Sequence, residues 1–91
     1  MAWSLELTDT ARRSLKKLDP ATASRILRFL VEKLAQYENP RTLGKPLTGE
    51  LGDYWRYRVG NYRVVVEIRD DRLEILVIRI GHRREVYRRA K

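Results

Sequence analysis

Three arginines lie on one face of a β-hairpin that the sequence predicts from its alternating residues and its Gly-Asn turn. The predicted register places Arg58 directly opposite Arg63, and Arg56 shares their face. Like charges directly opposite one another destabilise a sheet, and no acidic residue separates these three. A guanidinium group can hold a phosphate through two parallel hydrogen bonds. The face therefore predicts a binding site for a phosphate-bearing ligand; the alternative is an ordinary solvated face of an antiparallel sheet.

The segment GHRREVY (81–87) follows the last predicted strand and supplies a second set of candidates. His82 is the only histidine, and an unperturbed histidine titrates at about pH 6.5, which suits proton transfer near neutrality. From this segment Arg83 can join the basic face, and Tyr87 can stack on a base or contact a phosphate. The alternatives are a surface histidine and a core tyrosine.

The net charge of +8, with a pI near 10.3, points to a polyanionic partner, of which nucleic acid is the commonest. The charge is uneven, since residues 1–53 hold nine basic and seven acidic side chains and residues 54–91 hold eleven and five. The alternative is a basic surface that serves only solubility.

The composition excludes several kinds of chemistry. The chain has 91 residues and no cysteine, so disulfides, iron–sulfur clusters, thiolate nucleophiles and cysteine-ligated zinc are ruled out. With one histidine, a metal site built by the protein is not expected, nor is a cofactor. Apolar runs stay short of the roughly 20 residues of a membrane span, and no secretory signal is visible. We expect a single domain over 1–91, soluble, cytoplasmic and without a membrane partner.

The order of the predicted elements indicates an α+β fold in which a helical hairpin covers one face of an antiparallel meander. In chain order, the elements are a strand at 2–7, a helix capped by Thr8, a second helix from Pro20 to about Asn39, a loop over 40–53, strands at 54–59, 62–69 and 72–80, and a basic tail. The apolar sheet face is predicted to comprise Trp55, Tyr57, Val59, Tyr62, Val64, Val66, Leu73, Ile75 and Val77, and the second helix to present an apolar face that includes Leu27, Val31 and Tyr37.

Three blocks in this order carry a resemblance that covers nearly the whole chain. They are KPLTGELGDYWRYRVGNYRV (45–64), LEILVIRIG (73–81) and HRREVY (82–87), and together they resemble the RelE toxins of the RelE/ParE toxin–antitoxin superfamily. The resemblance implies a compact, microbial-ribonuclease-like α+β domain that enters the ribosomal A site and cuts mRNA there without metal. It also implies a cognate antitoxin that wraps around the toxin. We expect this antitoxin to be acidic and to form a hetero-oligomer with the toxin.

The resemblance implies functional roles for Arg56, Arg58, Arg63, Arg83 and Tyr87, and His82 and Arg84 are added from the residues themselves. Arg63 and Arg83 would hold the scissile phosphate, Tyr87 would stack on or orient a nucleotide, and His82 is a candidate proton shuttle. RNA binding falls to Arg56, Arg58 and Arg84. Well-studied relatives have lysine where this chain has Arg56 and Arg58, and arginine stays protonated in proteins, so the general base is open among His82, Glu85 and Tyr87.

Two other functions remain open at this stage. ParE toxins share the fold but poison DNA gyrase without cutting RNA, and the arginines of the meander favour cleavage over that alternative. A nucleic-acid-binding module without toxicity is the third possibility, and it would show a steep dependence of binding on salt.

Overall fold

The computed structural model describes residues 2–47 and 54–82. Two helices and a five-stranded mixed sheet form an α+β fold, as the sequence predicts. The bounds are β1 Ser4–Leu7, α1 Asp9–Lys17, α2 Pro20–Arg28, a π-helical segment Phe29–Leu34 that continues α2, a 3₁₀ turn Pro40–Leu43, β2 Lys45–Pro46, β3 Tyr54–Val59, β4 Tyr62–Arg69, a 3₁₀ turn Asp70–Arg72 and β5 Glu74–His82.

The strands lie in the order β1-β5-β4-β3-β2. The β3–β4 register agrees with the prediction, with Arg58 opposite Arg63 and Trp55 opposite Val66. The N-terminal strand β1 pairs in parallel with β5, so among the described residues it forms one edge of the sheet. Part of the predicted 40–53 loop forms β2, which pairs with β3 through Lys45.

A side-chain hydrogen bond caps the N-terminus of each helix. The Thr8 hydroxyl accepts a hydrogen bond from the Ala11 N–H at 3.1 Å. The Asp19 carboxylate accepts bonds from the Thr22 hydroxyl at 2.7 Å and the Thr22 N–H at 3.1 Å, and these bonds lower the pKa of Asp19. Since Pro20 at the first helical turn has no N–H to satisfy, Asp19-Pro20 ends one helix and begins the next.

The core lies between the helices and one face of the sheet. Ala11 of α1, Ile26 of α2, and Leu30 and Leu34 of the π-helical segment pack against Tyr57 and its neighbours on the sheet. The second helix ends at Leu34, earlier than predicted, and Ala35 after it is still buried. Three residues predicted on its apolar face are exposed: Leu27, Val31 and Tyr37. Leu27 and Val31 lie on the solvent side of the helix, and Tyr37 lies beyond its end.

The second hairpin turn also differs from the prediction. It spans the 3₁₀ turn and Leu73 instead of two residues, and Leu73 closes it with a φ of 49° in the left-handed region. Leu73 is 41% exposed and therefore leaves the predicted core face. The core face includes instead Ile68 of β4 and Ile80 of β5, which are both buried.

A β-bulge interrupts the pairing of β4 with β5. Val66 lies opposite Val77 and Val65 lies opposite Arg79, so Ile78 is an extra residue in β5. The Thr8 hydroxyl donates a hydrogen bond of 2.8 Å to the Ile78 carbonyl, and the Thr8 N–H donates one of 3.0 Å to the Val77 carbonyl. The residue that caps α1 thus also holds the bulge in place.

In the described ranges 2–47 and 54–82, no helix has the length and apolar character needed to cross a membrane.

Candidate phosphate-binding face

Among the described residues, four arginines lie toward one end of the sheet face turned away from the helices, and we call them the arginine face: Arg56, Arg58, Arg63 and Arg79. They come from three adjacent strands in two neighbouring rows. One row runs Arg56, Val65, Arg79 across β3, β4 and β5, and the other runs Arg58, Arg63, Gly81. Directly opposed residues in an antiparallel pair have their Cβ atoms about 5 Å apart, so the structure brings these cations together.

Arg63 is the most enclosed of the four. It is 6% exposed, whereas Arg56 and Arg79 are half-buried and Arg58 is exposed. A guanidinium group keeps its proton even when it is buried, and a charge acts more strongly in a medium of low dielectric. Arg63 therefore carries a fixed positive charge at the centre of the arginine face.

Arg79 is the functional candidate that sequence reasoning missed. Strict alternation from Val77 would place Arg79 on the core face, but the extra residue at Ile78 reverses the parity of β5. Arg79 therefore lies opposite Val65, beside the row that holds Arg63. A bulge has no compositional signal of its own, so alternation alone could not identify Arg79.

The same reversal moves His82 off the arginine face. His82 lies opposite Tyr62, and the two rings meet edge-on with centroids 5.6 Å apart and an interplanar angle of 79°. Tyr62 packs against the core on the helix side of the sheet. The structure thus separates His82 from Arg63, which pairs with Gly81.

The remaining candidates from the tail lie outside the described residues. They are Arg83, Arg84, Glu85 and Tyr87.

The charges at the other end of the same sheet face are paired. Arg69 binds Glu67 at 3.1 Å and Glu74 at 3.2 Å, and the hydrogen bond to Glu67, followed by its charge, raises the pKa of Arg69. By contrast, the side chains of Arg58 and Arg79 form no hydrogen bond or ion pair with any residue that the structure describes. Positive charge on this face is therefore left uncompensated where Arg58 and Arg79 lie, and an anion can neutralise it.

A close backbone approach supports β3 behind the arginine face. A Cβ at Gly44 would lie 2.6 Å from the Arg56 carbonyl oxygen and 2.6 Å from Cε2 of Tyr57, so only glycine fits there. Tyr57 in turn donates a hydrogen bond of 2.8 Å from its hydroxyl to the Pro40 carbonyl. These contacts fix the segment before β2 against the strand that carries Arg56 and Arg58.

The arginine face can bind phosphates and stabilise added negative charge on them, but arginine cannot act as a base. Over residues 2–47 and 54–82 there is no group of three or more His, Cys, Asp or Glu side chains that could hold a metal ion.

Comparisons with known proteins place this geometry in context. Residues 5–87 match the sequence model of a family described as the ParE toxin of type II toxin–antitoxin systems. Toxin RelG of Mycobacterium tuberculosis is 35% identical over 89 residues, which is 98% of this chain and 100% of RelG.

Two solved toxin–antitoxin complexes have the same fold. The RelBE2 complex of Mycobacterium tuberculosis superimposes with a TM-score of 0.82 at 32% identity, covering 91% of this chain and 93% of the other. The intact RelBE complex of E. coli gives a TM-score of 0.74 at 26% identity, covering 89% and 96% of the two chains.

Proposed function

The chain belongs to the RelE/ParE family of toxins from type II toxin–antitoxin systems, and on that premise we propose that it is a metal-independent endoribonuclease that cuts mRNA in the ribosomal A site. The observation that carries the proposal is the arginine face, in which the enclosed Arg63 lies among three further cations on adjacent strands. This site of action implies that the protein works in the cytoplasm.

The substrate supplies its own nucleophile. The 2′-hydroxyl of a nucleotide attacks the adjacent phosphorus, a new O2′–P bond forms, and the P–O5′ bond breaks to leave a 2′,3′-cyclic phosphate and a 5′-hydroxyl. Negative charge accumulates on the phosphorane, and preorganised cations stabilise it without reorganising. We assign this role to Arg63 and, from the sequence, to Arg83, while Arg56, Arg58 and Arg84 bind flanking phosphates.

The proton transfers require groups other than the arginines. One proton leaves the attacking 2′-hydroxyl, and another must reach the departing 5′-oxygen. His82 packs against Tyr62 on the helix side of the sheet, so its imidazole is directed away from Arg63. We therefore leave the proton-shuttle role of His82 out of the proposal. Tyr87 and Glu85 stay as candidates from the sequence, and Tyr87 also as the residue that orients a nucleotide.

We also propose an acidic antitoxin as partner. The related toxins in the RelBE2 and E. coli RelBE structures are bound to their antitoxins. Here the net charge of +8 and the exposed Arg58 favour a partner of opposite charge, which would form a hetero-oligomer with the toxin.

A second candidate function is inhibition of DNA gyrase without RNA cleavage. The description of the matching family as ParE toxins favours it. The arginine face favours cleavage, because cations on neighbouring rows of one sheet face can stabilise the charge that develops on a phosphate.

The test is a cleavage assay with purified protein on ribosomes that carry a defined mRNA. The experiment includes 1,10-phenanthroline, which removes transition metals but leaves the magnesium that ribosomes need. We expect a cut in the A-site codon with a 2′,3′-cyclic phosphate end, and no cut when that codon carries a 2′-deoxynucleotide. Intact mRNA, together with inhibition of gyrase supercoiling, would establish the second candidate instead.

A further inference from the structure

A second group of cations lines a groove between the second helix and the end of β3. The groove has a volume of about 560 Å³. Cations make up half of its eight lining residues, and there is a single acid. The lining residues are Arg25, Arg28, Phe29, Glu32 and Lys33 from α2 and its π-helical continuation, and Arg58, Val59 and Gly60 from the end of β3 and the following turn.

The charges of this groove are not used in folding. The side chains of Arg25, Arg28 and Lys33 are exposed, and none of them forms a hydrogen bond or ion pair with a residue in the described ranges. Glu32, in the same groove, forms an ion pair with none of them. Among the described residues, some cations are paired, as in the 2.8 Å contact between Arg41 and Asp70, whereas the exposed cations of α1 form no ion pair, like those of the groove. The groove therefore presents a net positive charge to solvent.

The π-helical segment brings these cations together. The Ala35 N–H donates a hydrogen bond of 2.9 Å to the Leu30 carbonyl, five residues earlier, as in a π-helix. Because such a helix has a wider turn, Lys33 returns toward the side of Arg28, whereas an α-helix would rotate it away. Arg25 and Arg28, three residues apart, already share a face of α2. Single π-helical turns are rare and occur frequently at functional sites.

The hairpin turn leaves space for one of these guanidinium groups. Gly60 has a φ of 62°, and a Cβ there would lie 3.1 Å from Nη1 of Arg25 and 3.5 Å from its Cζ. The Arg25 guanidinium therefore lies against the backbone of the turn, which places a fixed cation where the helix and the hairpin meet.

The groove connects with the arginine face through Arg58. Arg58 lines the groove and also lies opposite Arg63, while β2 pairs only with Trp55 and Arg56 of β3. Among the described residues the outer edge of β3 is thus uncovered beside Arg58. Phe29 forms the apolar floor of the groove, since it packs against the core with its ring 5.8 Å from that of the buried Tyr57. A positively charged groove that follows the backbone is a common feature of proteins that bind single-stranded nucleic acid.

We propose that this groove binds the phosphate backbone of a single-stranded RNA that continues past Arg58 from the arginine face. The proposal rests on the proposed function, since it extends the same strand beyond the site of cleavage. The planar arginine forks suit phosphate oxygens, and the groove adds length to the bound strand without reading its sequence.

The test compares two triple variants that lose the same charge. The groove variant is Arg25→Gln, Arg28→Gln, Lys33→Gln, and the matched control on α1 is Arg12→Gln, Arg13→Gln, Lys17→Gln; all six side chains are exposed. The probes are fluorescent 2′-O-methyl RNAs of about 5 and about 20 nucleotides, which cannot be cleaved. Only the longer RNA can reach both the arginine face and the groove. Fluorescence anisotropy gives the affinity over a series of salt concentrations, and circular dichroism checks that both variants fold.

We expect the groove variant to bind the longer RNA about tenfold or more weakly and to lower the slope of log K against log salt by about 2. The affinity of the groove variant for the shorter RNA, and that of the control variant for either RNA, should change by less than about threefold. Unchanged binding of the longer RNA, or equal losses in both variants, would overturn the proposal. So would a loss confined to a hairpin RNA or to a poly-glutamate peptide, each included as a separate probe.

The binding assay and the cleavage assay fail independently. Because the 2′-O-methyl probes carry no nucleophile, absence of cleavage by the wild type would contradict the proposed function and leave the groove measurement intact. Normal cleavage with unchanged binding by the groove variant would contradict the groove alone.

Discussion

Arg79 lies directly opposite Val65 because Ile78 is an extra residue in β5. Without the bulge, Arg79 would be directed into the core between sheet and helices, where an unpaired guanidinium is costly. With it, Arg79 joins the arginine face beside Arg63, while Ile80 enters the core. One inserted residue thus decides which of the side chains of β5 take part in the site.

We predict that Arg79→Gln lowers the rate of mRNA cleavage about tenfold, because the variant loses one hydrogen bond between charged partners. Stability should not fall, since the side chain of Arg79 forms no hydrogen bond or ion pair with a described residue. The control is Arg72→Gln near the opposite end of β5, which should cleave at the wild-type rate. Equal rates for both variants would remove Arg79 from the site.

His82→Gln should leave cleavage within about threefold of the wild type, because the ring packs against Tyr62 on the other side of the sheet. The pH dependence of the rate separates this outcome from proton transfer by His82. We expect the wild-type and His82→Gln profiles to have the same shape. A His82→Gln profile that lacks a limb present in the wild-type profile would return His82 to the mechanism.

Gly44→Ala should lower the free energy of unfolding by about 1–3 kcal/mol, the usual cost of overpacking. The added methyl would meet the Arg56 carbonyl and the Tyr57 ring at 2.6 Å, so β2 must move away from β3. Urea denaturation measures the change, with Thr42→Ala, an exposed neighbour, as control. A Gly44→Ala protein as stable as the control would show that the two strands are not held this tightly.

Asp19→Ala should lower the Tm at neutral pH, because Asp19 caps α2 through Thr22. These bonds hold the pKa of Asp19 below its ordinary value, so their contribution is present above about pH 4 and is lost as the pH falls through the folded-state pKa. The Tm difference from wild type should therefore shrink in acid. A difference that stays constant down to pH values at which Asp19 is protonated would contradict the cap.

The parts of the fold that follow from local chemistry could be predicted from the sequence. The Gly-Asn turn fixes the β3–β4 register, and with it the pairing of Arg58 with Arg63. Similarly, Asp19-Pro20 marks the junction of the two helices.

The rest depends on interactions between distant residues. The bulge at Ile78 is held by Thr8, some 70 positions away in the sequence. The parallel pairing of β1 with β5 likewise joins residues that are about as far apart in the sequence. The π-helical segment continues an ordinary helical pattern of apolar residues, so its wider turn has no signal in the sequence. Arg79, His82 and the groove beside Arg25 are placed by these features and could not be located from alternation alone.

The central claim is that Arg63 stabilises the phosphate that is being cleaved. The most direct measurement is the single-turnover rate of A-site mRNA cleavage by Arg63→Ala, with Arg72→Ala as the control outside the arginine face. We predict a rate about 100- to 1,000-fold below wild type for Arg63→Ala, as for the loss of one preorganised donor to a developing oxyanion. Circular dichroism checks that both variants are folded at the assay temperature. A folded Arg63→Ala protein that cleaves at the rate of the control would contradict the account.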